Sequence, residues 1–225
     1  MYQGIIFDFN GTMFFDSQEN EQAWRQFIYT SANREITDQE FQHQIHGRPN
    51  QAALEYFFNR SLTPGEVSQL SEGKERIYRQ LCLENADRFH LVEGLTELLD
   101  QLVDQQIPCA IATAAGKGNI DFYIEHFDLH RWFDPTKIIY DDGTFPGKPN
   151  PAIYLKTAKV LSIEPKSCIV IEDSLSGIEA AKKANIGRIM GISPTGEQDH
   201  LHRLAGIDLI LSDFKGLALK DILQK

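Results

Sequence analysis

Asp8 closes a short β-rich run, GIIFDF, and Thr113 closes another, IPCAIAT (107–113). Glu172 and Asp173 close a third, SCIVIED (167–173), and Lys148 sits in a loop rich in proline and glycine, FPGKPNP (145–151). Three carboxylates crowded at neighbouring strand ends cannot all stay ionised without compensation. A divalent hard cation together with Lys148 balances them formally, and oxygen-only ligands suit Mg²⁺, which keeps waters that a phosphate oxygen can replace. Cation and lysine would draw a phosphoryl group towards Asp8, while Thr113 and the backbone amides after it, beginning at Ala114, hold the remaining oxygens. Positioning and charge neutralisation are most of what phosphoryl transfer asks of a protein. Asp8 is then the nucleophile, and an aspartyl-phosphate is the intermediate.

Those residues need strands to carry them. GIIFDF, IPCAIAT, KIIY (137–140), SCIVIED, GRIMGI (187–192) and DLIL (208–211) are continuous apolar runs, the pattern of strands buried on both faces. Helix patterns lie between them. Leu95, Leu98, Leu99 and Leu102 keep helical spacing, Ile178, Ala181 and Ala184 form a weaker stripe after Ser174, and Pro151 is expected as a first helical residue. The alternation predicts an α/β fold with a Rossmann-like, mostly parallel sheet and helices on both faces, with ligands outside the carboxyl ends of the strands. From about Asp16 to about Asn85 only helices are expected. Trp24, Phe27, Ile28 and Ser31 line one face of the first, and TDQE (37–40) and TPGE (63–66) read as capping boxes. The expected domains are therefore 1–15 with 86–225 as an α/β core, and 16–85 as an inserted helical cap. The tail FKGLALKDILQK is expected to form a short final helix.

The 225 residues, 42% hydrophobic and 24% charged, have the composition of an ordinary globular protein, and a net charge of −10 argues against nucleic acid or an anionic membrane as partner. No apolar run approaches the roughly 18 residues of a membrane span. The N-terminus has no signal-peptide pattern. The three cysteines, Cys82, Cys109 and Cys168, form no CxxC pair and are expected as buried free thiols in a reducing cytoplasm. A cytoplasmic monomer is expected.

DFNGT, IAT, GKPNP and IEDSLSGIEAAKKAN resemble, in order, the four motifs of the haloacid dehalogenase superfamily. The helical insert after the first resembles the cap of its β-phosphoglucomutase-like and phosphoglycolate-phosphatase-like subgroup. The resemblance implies Asp8 as phosphorylated nucleophile and metal ligand, with the backbone carbonyl of Asn10 and the side chain of Asp173 as further ligands. It implies Glu172 on the metal directly or through water, Thr113 and Lys148 on the phosphoryl group, and a cap that closes over substrate. Within the cap, HGR (46–48) makes Arg48 the candidate for gripping a distal anionic group, and Lys117 is a second substrate-binding candidate.

The departure is Asn10. Such families usually carry an aspartate there, which protonates the leaving oxygen and then deprotonates the attacking water. An amide does neither, and general acid–base catalysis is typically worth about 10²- to 10⁴-fold. Asn10 has three accounts: an engineered trap, a slow phosphatase that uses good leaving groups or another proton carrier, or a retired enzyme that binds phospholigands. Asn10-Gly11 is also a deamidation-prone pair. The expected function is a Mg²⁺-dependent phosphohydrolase acting on a small phosphorylated metabolite such as a sugar phosphate. A phosphosugar mutase is the alternative, weakened by Asn20 standing where such mutases usually carry a histidine. His200 and His202 are expected in a solvated loop, DDG (141–143) as a turn, and Trp24, Phe27 and Phe58 as cap core.

Overall fold

The computed structural model describes residues 1–45 and 49–224. Two compact units divide the chain: residues 1–15 with 90 onwards, and residues 16–89.

In the first unit, five parallel strands run in the order β2-β1-β3-β4-β5. They are β1 (Gly4–Phe7), β2 (Cys109–Ile111), β3 (Cys168–Glu172), β4 (Arg188–Ile192) and β5 (Leu209–Leu211). Their apolar runs are continuous because both faces are covered: every residue of β1 and β3 is buried. Ile6 and Val170 are partners in the register and join one core cluster with Ile153, Tyr154, Ile178 and Ala181. On the opposite face Phe7 meets Phe133 and Phe214 edge-on, each at 6.3 Å.

The second unit holds α1 (Ser17–Ala32), α2 (Asp38–Glu40), α3 (Asn50–Phe58) and α4 (Pro64–Glu84). Both expected capping boxes form. Thr37 and Glu40 cap α2, and Thr63 and Glu66 cap α4 with Pro64 in its first turn. Trp24, Phe27, Ile28, Ala53, Leu54 and Phe57 make its core, with Phe58 packed against it. Ser31, expected on the buried face of α1, is exposed. The remaining helices belong to the first unit: α5 (Leu95–Asp104), α6 (Lys117–His126), α7 (Ala152–Leu161), α8 (Leu175–Lys183), α9 (Asp199–His202) and α10 (Leu219–Leu223). Leu95, Leu98, Leu99 and Leu102 are all buried, as their spacing requires.

Several expectations change. KIIY is not a strand. Pro135 starts a 3₁₀ turn through Lys137, and only Ile139 pairs with the sheet, bridging Ala112 beside β2. Pro151 caps α7 rather than opening it. Cys82 and Cys168 are buried and Cys109 is half-buried, all with free thiols, and burial pushes each thiol well up, Cys82 and Cys109 to about 12. Among the described residues no helix is long and apolar enough to cross a membrane.

Candidate active site

Strand parity builds the site. Gly4 pairs with Cys168 and Ile6 with Val170, so the next residues on that face, Asp8 and Glu172, emerge side by side. The Asp8 backbone N–H donates to the Ile171 carbonyl at 3.0 Å and continues the ladder one residue past β1. Thr113 emerges likewise past β2. Its N–H donates to Ile139, and its hydroxyl accepts from the Ala115 N–H at 3.1 Å. Asp8, Thr113 and Glu172 are all buried.

Carboxylate oxygens of Asp8, Glu172 and Asp173 lie within 4.8 Å of one another. Lys148 reaches into this cluster from its loop. Its Nζ lies 2.6 Å from Asp8 Oδ1 and 2.6 Å from Glu172 Oε2, with the side chain only 6% exposed. Glu172 is the most heavily held of the three. The Tyr154 hydroxyl on α7 donates to Oε2. On the other oxygen, Oε1, Ser174 donates from its N–H at 3.1 Å and its hydroxyl at 2.8 Å. Ser174 is also the N-cap of α8, accepting from the Gly177 N–H at 3.1 Å.

Two glycines leave room for these carboxylates. Gly11 has φ +78°, and a Cβ there would run into the Asp173 carboxylate. A Cβ on Gly177 would run into that of Glu172.

The charges respond as a set. Burial, then the Glu172 charge, pushes the Asp8 carboxyl up to about 7. Burial and the charges of Glu172 and Asp8 hold the Asp173 carboxyl well above its ordinary range. Burial also works to raise Glu172, but the Lys148 charge and the hydrogen bonds from Lys148, Tyr154 and Ser174 outweigh it, leaving this carboxyl lowered. Burial works to lower Lys148, and the charges of Asp8 and Glu172 outweigh it, so the ammonium persists. Fully ionised, three carboxylates against one ammonium would leave net negative charge, and the raised Asp8 and Asp173 carboxyls answer that excess by holding protons. An all-oxygen donor set of that charge fits Mg²⁺.

Other candidate residues are placed as follows. Asn10 follows Phe9 in the turn after β1, and its Nδ2 donates to the Tyr123 hydroxyl at 2.7 Å. Ala114 is exposed just past Thr113. Lys117 opens α6, where its ammonium pairs with Asp121 on the same helix rather than with the carboxylate cluster. Arg48 and His46 lie outside the described residues. His200, expected in a solvated loop, is on α9. It stays exposed, with Nε2 3.2 Å from the Asp173 main-chain oxygen and Nδ1 2.8 Å from that of Glu197. His202 is on the same helix, and Asp141 caps its own turn by accepting from the Gly143 N–H at 3.0 Å. Tyr123 and Tyr154 escaped sequence reasoning. Each sits on the apolar stripe of its helix, where a phenol reads as core.

The family profile described as haloacid dehalogenase-like hydrolase matches residues 5–190. The crystal structure of a HAD hydrolase, family IA, variant 3, from Entamoeba histolytica HM-1:IMSS has a TM-score of 0.91 at 31% identity, covering 98% of this chain and 97% of that one. The phosphorylated carbohydrates phosphatase of Thermotoga maritima is 28% identical over 194 residues, 84% of this chain and 85% of that protein. A β-phosphoglucomutase from Clostridium difficile has a TM-score of 0.78 at 26% identity, covering 99% of this chain and 96% of the other. The chain belongs to the haloacid dehalogenase-like hydrolase family.

Proposed function

We propose that this chain is a Mg²⁺-dependent phosphatase of small phosphorylated metabolites, sugar phosphates among them, that works through a phosphorylated Asp8. The observation that carries this reading is Lys148 wedged between Asp8 and Glu172, with Asp173 closing the carboxylate cluster. Asp8 and Asp173, the backbone carbonyl of Asn10 and the Glu172 carboxylate, directly or through water, would hold Mg²⁺. When bound, the ion supplies positive charge to phosphoryl oxygens next to Asp8.

The chain's own residues do the rest. Asp8 Oδ attacks phosphorus as the bond to the leaving oxygen breaks. Lys148 offers positive charge beside the attacking oxygen, and Thr113 with the backbone after it supplies donors to the phosphoryl oxygens. Tyr154 and Ser174 keep Glu172 in place, and Glu172 keeps Lys148. Asn10 orients groups by hydrogen bonds but releases no proton. Asn20 stands where mutases of this kind usually carry a histidine, and this favours the phosphatase over the mutase. A protein that only bound phospholigands would have little reason to keep three carboxylates at the strand ends where the anion must sit.

The test is phosphate release over a panel of sugar and small-metabolite phosphates with Mg²⁺, the chain beside Asp8→Asn. Intact-mass analysis accompanies each sample so that deamidated Asn10 is excluded as the source of activity. Release that falls by at least about 10³-fold in Asp8→Asn is the expected result. Equal release from both proteins overturns the proposal.

A further inference from the structure

The side chain at position 10 is held by a residue that no motif names. Tyr123, on α6, is fully buried, and its hydroxyl accepts the Asn10 Nδ2–H at 2.7 Å. Its ring stacks on Phe9, the residue between Asp8 and Asn10, at 4.2 Å and 17°. Phe127 backs both rings, 5.9 Å from Phe9 and 6.3 Å from Tyr123, and also meets Phe14 at 5.3 Å. This aromatic layer lies beneath the turn that carries Asp8, and the Tyr123 hydroxyl is the polar tip it raises to residue 10. A buried phenol needs a partner, and a stacked ring has no other rotamer to adopt without opening the layer. The carboxamide is therefore held by Tyr123 at the position to which the family resemblance assigns the proton donor, and it has no proton to give.

We propose that Tyr123 is the positioning residue for side chain 10, and that the Asn10–Tyr123 pair makes this chain select substrates by leaving group. Resting on the phosphatase reading above, this ranks its substrates: phosphates whose leaving oxygen is stable as an anion (acyl phosphates, phosphoanhydrides and aryl phosphates) are turned over faster than sugar phosphates. Unactivated alkyl esters, such as the phosphate on a primary sugar hydroxyl, are disfavoured. In the first step the Asp8 oxygen forms a bond to phosphorus, and the bond to the leaving oxygen breaks with its electron pair on that oxygen. With no acid at position 10 the oxygen departs unprotonated and takes its proton from solvent, so the barrier follows its basicity. In the second step water attacks phosphorus, the bond to Asp8 breaks, and the carboxylate is regenerated. The proton released by that water leaves on the product phosphate.

The experiment compares kcat/KM for p-nitrophenyl phosphate, phenyl phosphate and a primary sugar phosphate in four proteins: the chain as it stands, Asn10→Asp, Tyr123→Phe, and the double variant. kcat/KM reports the steps through the first P–O cleavage, so loss of a base for the second step does not blur it. Asn10→Asp is expected to raise the sugar-phosphate value by about 10²-fold or more and the p-nitrophenyl value by less than about 10-fold. Adding Tyr123→Phe to Asn10→Asp is expected to remove about 10-fold of the sugar-phosphate gain and to leave p-nitrophenyl phosphate unchanged. A merely structural tyrosine would lower both alike. Equal gains on all three substrates overturn the leaving-group assignment, and an undiminished gain in the double variant overturns the role of Tyr123. Loss of the phosphatase reading looks different: p-nitrophenyl phosphate would be cleaved equally by Asp8→Asn, or by none of the proteins.

Discussion

Replacing Lys148 by methionine tests the charge balance on which the site rests. Methionine keeps the stem of the side chain and removes only the ammonium. That ammonium lies 2.6 Å from both Asp8 and Glu172, and the Glu172 side chain is 1% exposed, so no solvent takes its place. Removing one partner of a buried ion pair costs about 3–5 kcal/mol, because the other charge is left uncompensated. Here two carboxylates lose the same cation while a third stands beside them. In a chain of this size 1 kcal/mol moves the melting temperature by roughly 2–4 °C, so at pH 8 in EDTA a fall of about 6–20 °C is expected. The fall should shrink at pH 5, where the carboxylates can protonate instead of repelling one another. Saturating Mg²⁺ should also recover part of it. Scanning calorimetry in those three conditions decides the matter. A metal-free Lys148→Met protein that melts within about 1 °C of the parent at pH 8 would refute the reasoning, since the lysine would then not be the countercharge.

The parent protein has its own pH signature. Asp8 is raised from 3.8 to about 7, so the stability tied to its proton is complete below pH 3.8 and is lost as pH rises through about 7, and Asp173, held well above its ordinary value, acts in the same direction. Glu172 is lowered and acts oppositely, its contribution being lost only in acid below its ordinary 4.5. In EDTA the protein is therefore expected to melt at a higher temperature at pH 5 than at pH 8. Mg²⁺ should close or reverse that gap, because metal binds the deprotonated carboxylates; an identical pH trend with and without Mg²⁺ counts against the cluster as its site. Gly177→Ala would stabilise an ordinary helix interior by about 1 kcal/mol. Here the added methyl displaces the Glu172 carboxylate, so a destabilisation of about 1–3 kcal/mol is expected by chemical denaturation, and a more stable variant would show that Glu172 is free to move.

Residues that end strands were legible in the sequence, and residues that support them from helices were not. Asp8, Thr113, Glu172 and Asp173 each follow an uninterrupted apolar run. In a parallel sheet such runs end on one edge, so one-dimensional order already implies three-dimensional proximity. Lys148 was legible because proline and glycine on either side mark a loop. Tyr154 and Tyr123 carry no comparable mark. Tyr154 lies on the same helix stripe as Ile153 and Ala158, and Tyr123 on that of Ile120, so only tertiary packing reveals that one phenol meets Glu172 and the other Asn10. KIIY has strand composition, yet Pro135 and the 3₁₀ turn it starts leave one residue in position to bridge Ala112. Local composition carries no information about how much of an edge is available to pair.

The hydrogen bonds divide labour among carboxylates that look equivalent in sequence. Glu172 accepts from Lys148 and Tyr154 on one oxygen and twice from Ser174 on the other. An anion so fully engaged is held ionised, and in the metal-free protein it fixes Lys148. Asp8 shares that lysine and, beyond it, accepts from the Phe9 backbone N–H. It keeps lone pairs that a cation or a phosphorus atom can use, and burial, then the Glu172 charge, raises its carboxyl. On the phosphatase reading proposed above Asp8 is the nucleophile, and those lone pairs spare it the breaking of further bonds before attack. Glu172 and Lys148 thus pair their buried charges at the strand ends, and Asp8 beside them shares the lysine while keeping lone pairs open. Asn10, neutral and tied to Tyr123, adds no fourth negative charge to this set, and the proton that a carboxylic acid would bring is what the chain forgoes in return.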